Sequence, residues 1–281
     1  MGKFFGSKIY VQGGAQKERQ NLSPLLAAAS GCANEGQLFE RTVMELLGEI
    51  NKNRVGRILL EAIDRYRPTF TRYIRIRPDT GELAFAKPVS PAGASPQGHP
   101  IKVDGAAASG TGTGSSTDVL FNPGAFSIAG SEDTFRPDDV LFHELVHAYR
   151  YLVGRLKPDQ RSDGFDDDEE FLAIMLTNIY TSDAGRKNAL RGSHKLDFET
   201  LGQTQSSFGA HPHVFYIVNR QEIDRFCIEE PDIANPIANL KDPVAAWNPI
   251  RERAKVLAGP FAANPSGTSI EDRAGGLRLS R

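Results

Sequence analysis

The chain has 281 residues, 40% of them hydrophobic and 24% charged, with a formal net charge of −2. These are ordinary values for a folded globular chain; they exclude wholesale disorder and argue against an electrostatically driven nucleic-acid binder. No apolar run approaches the roughly 18 residues that a membrane helix needs, and the two cysteines, Cys32 and Cys227, cannot build a disulfide framework, so the chain reads as suited to a reducing compartment, with neither nucleic acid nor membrane among its partners.

Residues 1–35 are mixed in composition, lack a secretory apolar region, and read as a mobile leader with a short helix around Leu22 to Ala29. From Gly36 the pattern becomes helical. Leu38, Phe39, Val43, Leu46, Leu47 and Ile50 recur at helical spacing, Asn51 to Asn53 interrupt, and Ile58, Leu59, Leu60 and Ile63 form a second stripe that Pro68 closes. Tyr73, Ile74 and Ile76 lead into the turn signal Arg77-Pro78-Asp79-Thr80-Gly81, with Leu83 and Phe85 leading out, so a hairpin is expected. Residues 87–116 are rich in Pro, Gly, Ser and Ala, and Ala106 to Ser116 reads as a mobile surface loop. Asp118 to Asn122 reads as a strand stopped by Pro123-Gly124.

The clearest helix follows. Pro137 suits a first helical position, Asp138 and Asp139 place negative charge on the positive end of the dipole, and Gly154 is a stop signal. A polar acidic loop runs to Asp168, where Asp163 and Asp166 to Asp168 read as solvated, and a second apolar helix runs from about Glu169 to Tyr180. Later helices are expected around Asn219–Glu229 and Pro243–Leu257, the latter with Asp242 as N-cap, before a frayed tail over 259–281.

The motif that carries chemistry is His143-Glu144-Leu145-Val146-His147, an HExxH sequence on the clearest helix. Residues i and i+4 lie one turn apart on one face, so both imidazoles can reach one zinc ion at about 2.0–2.1 Å. Glu144, beside the first histidine, can then take a proton from a water acidified by the metal. A catalytic zinc site needs a third protein ligand and an open position. The longer pattern HExxHxxGxxH is not met, since position 150 is Arg and position 153 is Val. Instead Glu169-Glu170-Phe171-Leu172-Ala173 opens the next helix, and a glutamate some twenty residues downstream with a small residue three positions later is the gluzincin arrangement. Glu170 with Ala173 fits that spacing; Glu169, one residue off, is the alternative. Attack on a peptide bond also builds charge on the carbonyl oxygen, which calls for a further donor. Arg191, His194, Tyr180 and Tyr149 are candidates. His211 and His213 flank Pro212 and read as loop residues, and His99 sits in a Pro/Gly-rich stretch.

Leu141-Phe142-His143-Glu144-Leu145-Val146-His147-Ala148-Tyr149-Arg150, then Glu169-Glu170-x-x-Ala173-Ile174, Asn178-Ile179-Tyr180 and Leu190-Arg191-x-x-His194, resemble the NleD-like effector zinc metallopeptidases. The resemblance covers about residues 40–200. It implies a zincin fold, His143 and His147 as zinc ligands, Glu144 as catalytic acid and base, and a glutamate at 169–170 as third ligand. It further implies delivery by type III secretion into a host cell, with a host signalling protein as substrate and a secretion chaperone for the leader. The expected architecture is α+β: a small sheet packed on the HExxH helix, with flanking helices, in a catalytic domain over 36–258. In zincins the substrate lies along an edge strand, and the strand at 118–122 is placed for that role or for plain burial. A toxin used in bacterial competition, and a non-catalytic protein with a structural metal, are the competing readings; a structural site would be closed by a fourth protein ligand.

Overall fold

The computed structural model describes residues 2–13, 35–66, 72–79, 84–88, 102–103, 106–107, 114–126, 136–157, 159, 161, 165–186, 190, 211–241 and 247–259. Its sheet is assembled from strands far apart in sequence. Ile9 and Val11 alternate with less buried neighbours in β2 (Ile9–Gln12), which folds back antiparallel on β1 (Gly2–Phe5). Gly6, at φ 63°, supplies the left-handed residue of this turn. Ile74 and Ile76 repeat the pattern in β3 (Ile74–Pro78), parallel to β2. The most buried strand, β7 (Thr117–Phe121), lies parallel to β3 and antiparallel to β4 (Phe85–Pro88), giving the order β1-β2-β3-β7-β4. The short strands β5 (Lys102–Val103) and β6 (Ala106–Ala107) pair as a separate ribbon.

Four expectations change here. Residues 2–12 are not a mobile leader: they form two strands, and Ile9 and Val11 are core residues at 2% and 0% exposure. The expected helix at 22–29 falls outside the described residues. β3 and β4 do not form a hairpin with each other, because β7 sits between them. Val119 and Phe121, both at 0% exposure, explain this: the most apolar strand takes an interior place with a partner on each side. It follows that β7 is no edge strand; among the described residues β4 closes that side of the sheet. Nor is the end of the 106–116 stretch a free loop, since Ser115 is buried and its N–H donates to the Tyr151 carbonyl at 2.9 Å.

The helices follow the sequence more closely. In α1 (Glu35–Lys52) and α2 (Arg54–Arg65) the two expected apolar stripes are buried. Asn53 separates them because its side chain accepts from the N–H groups of Val55 and Gly56, capping α2. Its Nδ2 also donates to the Tyr180 carbonyl at 3.1 Å, tying this pair to a distant helix. The motif helix, α3 (Pro137–Val153), starts at its proline and ends at Gly154, whose φ of 74° is the left-handed cap. The next, α4 (Asp168–Asp183), is capped by Asp167, which accepts from the Glu170 N–H at 2.8 Å. Asp168 is buried between Lys157 and Arg161 rather than solvated.

Among the described residues the tail carries four helices: α5 (Pro212–Val218), α6 (Arg220–Glu229), α7 (Pro231–Ala238) and α8 (Pro249–Ala258). The last begins at Pro249 with Asn248 as N-cap, later than expected, since the Asn248 side chain accepts from Arg251 N–H. One apolar core runs without interruption from Ile9 through α1 to α4 and on to Ile250. The fold is therefore α+β, with a small sheet and flanking helices packed on the HExxH helix. No described helix is long and apolar enough to cross a membrane.

Candidate metal centre

α3 and α4 lie side by side and are locked at one end by charge. The two aspartates of the first turn of α3 do more than complement its dipole. Asp138 accepts from the Tyr180 hydroxyl at 2.8 Å, Asp139 from the Thr181 hydroxyl at 3.0 Å, and Arg186 donates to both. Phe142 stacks on Tyr180 with ring centroids 4.4 Å apart. These contacts hold the last turn of α4 against the first turns of α3, and the helix running back from there carries Glu170, in its first turn, to the middle of α3.

That alignment brings three ligand groups together. The Nε2 atoms of His143 and His147 are 3.0 Å apart. Glu170 presents Oε2 at 3.3 Å from the first and Oε1 at 3.3 Å from the second. All three ligand atoms lie within 4.8 Å of one another, and this is the one such group among the described residues. In a tetrahedral zinc site, bonds of about 2.0–2.1 Å place neighbouring donors about 3.3–3.4 Å apart. Each pair, the two histidine–glutamate pairs through different Glu170 oxygens, thus stands close to such an edge length, with no fourth protein ligand among the described residues. The residues fit a zinc ion with one open position. Glu170 is the most accessible of the three, its side chain 22% exposed against 3% for His143 and 10% for His147.

The electrostatics agree. Burial opposes a charge on His147, but contacts with Glu169 and Glu170 outweigh it and raise its pKa well above the usual value. Burial likewise opposes a charge on Glu170, yet His143 and His147 hold its carboxyl well below the usual carboxylate range. A cation displacing a proton from between these groups would satisfy the same carboxylate.

Around this trio lies a second set of buried charges that the sequence does not signal. Glu169 faces the other nitrogen of His147, its Oε1 3.6 Å from Nδ1. Its Oε2 accepts from Arg150 Nε at 2.7 Å and from the Lys157 N–H at 3.1 Å. The adjacent glutamates therefore divide: Glu170 joins the trio and Glu169 does not. Glu144, the motif's acid, is buried at 6% exposure.

Other candidates fall away or lie elsewhere. The Tyr149 hydroxyl donates to Glu230 and the Tyr180 hydroxyl to Asp138, both buried, so neither is spare for a substrate. His211 and His213 are exposed at α5. Cys227 is buried away from the trio, and burial pushes its thiol up to about 11. Arg191, His194 and His99 lie outside the described residues.

A family model, Peptidase_M91, described as effector protein, matches residues 31–198. The chain belongs to this family. The match spans α1 to α4 and so contains the whole trio, and the family is named as one of peptidases. No curated protein matches the chain in sequence. Among solved structures, the catalytic domain of Clostridium botulinum neurotoxin serotype F is similar at 13% identity, with a TM-score of 0.34, over 84% of this chain and 77% of that one. The light chain of botulinum neurotoxin serotype HA is similar at 14% identity, with a TM-score of 0.36, over 88% and 65%.

Proposed function

We propose that the chain is a zinc-dependent endopeptidase that hydrolyses peptide bonds of a host protein. The observation that carries this is the trio of donors at 3.0–3.3 Å, with a glutamate adjoining the first histidine of the pair. In this reading His143, His147 and Glu170 hold zinc. When bound, the ion supplies a Lewis acid that acidifies water and polarises the scissile carbonyl. Glu144 accepts the proton of the attacking water and returns it to the leaving amine nitrogen. Arg191 and His194 are proposed as donors to the carbonyl oxygen, and β4, as the closing strand, to pair with an extended substrate.

Membership of an effector family supports delivery out of the producing cell. We place the site of action in a host cytosol, with a host signalling protein as substrate, type III export signalled near the amino terminus and a chaperone for that segment. The structural-metal alternative loses ground, because the trio lacks a fourth ligand among the described residues.

The test is incubation of the purified chain with a host cytosolic lysate, with and without a chelator, followed by mass spectrometry of new amino termini. Chelator-sensitive cleavage at a defined site that vanishes in Glu144→Ala is expected. Cleavage unchanged by either treatment would overturn the proposal. Fusing residues 1–50 to a reporter tests the export signal.

A further inference from the structure

Glu230 lies between α6 and α7, beyond the family-matched stretch, yet it is 1% exposed and faces groups from the end of α3 and the turn after it. Its Oε2 accepts from the Tyr149 hydroxyl at 2.9 Å and lies 2.9 Å from Arg155 Nη1. Its Oε1 lies 3.5 Å from Nη1 of Arg150, itself 1% exposed. The same guanidinium donates from Nε to Glu169 at 2.7 Å and from Nη2 to the Arg155 carbonyl. Glu169 in turn faces Nδ1 of His147 at 3.6 Å. A line of alternating charge thus runs from Glu230 through Arg150 and Glu169 to the imidazole.

We propose that Glu230 is a positioning residue for the metal centre, acting through Arg150 and Glu169 on the ring of His147; this rests on the metal reading above. A carboxylate charge opposite Nδ1 favours the proton there, leaving the Nε2 lone pair facing the trio and strengthening it as a ligand. At 3.6 Å Glu169 acts on Nδ1 as a facing charge rather than as a direct acceptor; its orientation is set by Arg150 Nε and the Lys157 N–H, and of these Arg150 is the one linked to Glu230. A buried guanidinium between two carboxylates is held in place by both. With the Glu230 charge removed, Arg150 loses the partner opposite Glu169, and its grip on Glu169 changes. Glu230 therefore serves the centre from outside the trio, and this role belongs to a charged and oriented carboxylate rather than to packing.

Zinc affinity measured by competition with a chromophoric chelator tests this on the full chain. Glu230→Gln and Glu169→Gln are each expected to weaken zinc binding about ten- to a hundredfold, and the double variant to be no weaker than the weaker single. Zinc affinity of Glu230→Gln at the wild-type value, or losses that multiply in the double variant, would overturn the proposal, since a merely structural role gives one or the other. Should Glu230→Gln fail to fold, Tyr149→Phe keeps the charge and removes one hydrogen bond to it. Its expected loss is smaller, on the order of fivefold, and disappears in the Glu169→Gln background; no loss, or a loss that persists there, overturns the proposal. A His143→Ala variant that binds zinc as well as the wild type would sink the metal reading itself, which separates the two failures.

Discussion

Glu169 and Glu170, adjacent in the chain, address opposite nitrogens of one imidazole: Glu169 stands 3.6 Å from Nδ1 of His147 and Glu170 3.3 Å from its Nε2. A helix turns about 100° per residue, so neighbouring side chains diverge. Here that divergence wraps two carboxylates around a single ring, one on the ligand side and one behind it.

The first prediction follows from this division. Glu170→Gln removes a charged donor from the trio and is expected to lower zinc affinity more than Glu169→Gln does, although both lower it. Zinc stoichiometry and chelator competition measure the order. The opposite order would make Glu169 the ligand and leave the peptidase assignment in place.

Glu144→Gln is expected to keep zinc and the fold while cutting turnover by about a hundredfold or more, the usual worth of a positioned general base. Circular dichroism and metal analysis establish the first two, and a cleavage assay the third.

Zinc uptake is expected to release protons. Burial opposes a charge on His147, but Glu169 and Glu170 outweigh it and favour its protonated form, so zinc binding is expected to displace a proton there. Affinity for zinc therefore climbs with pH until His147 is deprotonated on its own. In the metal-free chain the same shift works the other way: its stabilisation is complete below the unfolded pKa and fades as pH rises through the raised folded value. The lowered carboxyl of Glu170 stabilises above its unfolded value and loses this as pH falls through the lowered one. Calorimetric zinc titrations in buffers of different ionisation enthalpy count the protons, and melts of the metal-free chain across pH read the stability.

Ile9→Ala is expected to cost about 2–5 kcal/mol in urea unfolding, because Ile9 is a core residue at 2% exposure in the strand beside β3. A detachable leader would tolerate the change with no loss.

Asn53→Ala is expected to cost about 1–2 kcal/mol, since the side chain caps α2 and also reaches the Tyr180 carbonyl.

The site was legible where local rules act. Pro137, Asp138, Asp139 and Gly154 mark the ends of α3, and the i, i+4 spacing aligns both histidines. What was missed is long-range. The strands at 2–5 and 9–12 are too short to stand out from a mixed segment, and only the distant Ile74 and Ile76 make them part of a sheet. The turn signal at 77–81 suggested a hairpin, but it cannot say that β7 will enter between its arms. Glu230 meets Tyr149 across 81 residues, and no periodicity connects them.

Every residue of α3 from Asp138 to Arg150 is buried. Backbone amides so enclosed exchange with deuterated solvent only when the whole molecule opens. The HExxH turn should therefore be among the last segments to take up deuterium, with or without metal. In the zinc reading the ion would enter beside Glu170, whose side chain is the most accessible of the trio, so that metal would come and go while the helix that holds it stays shut.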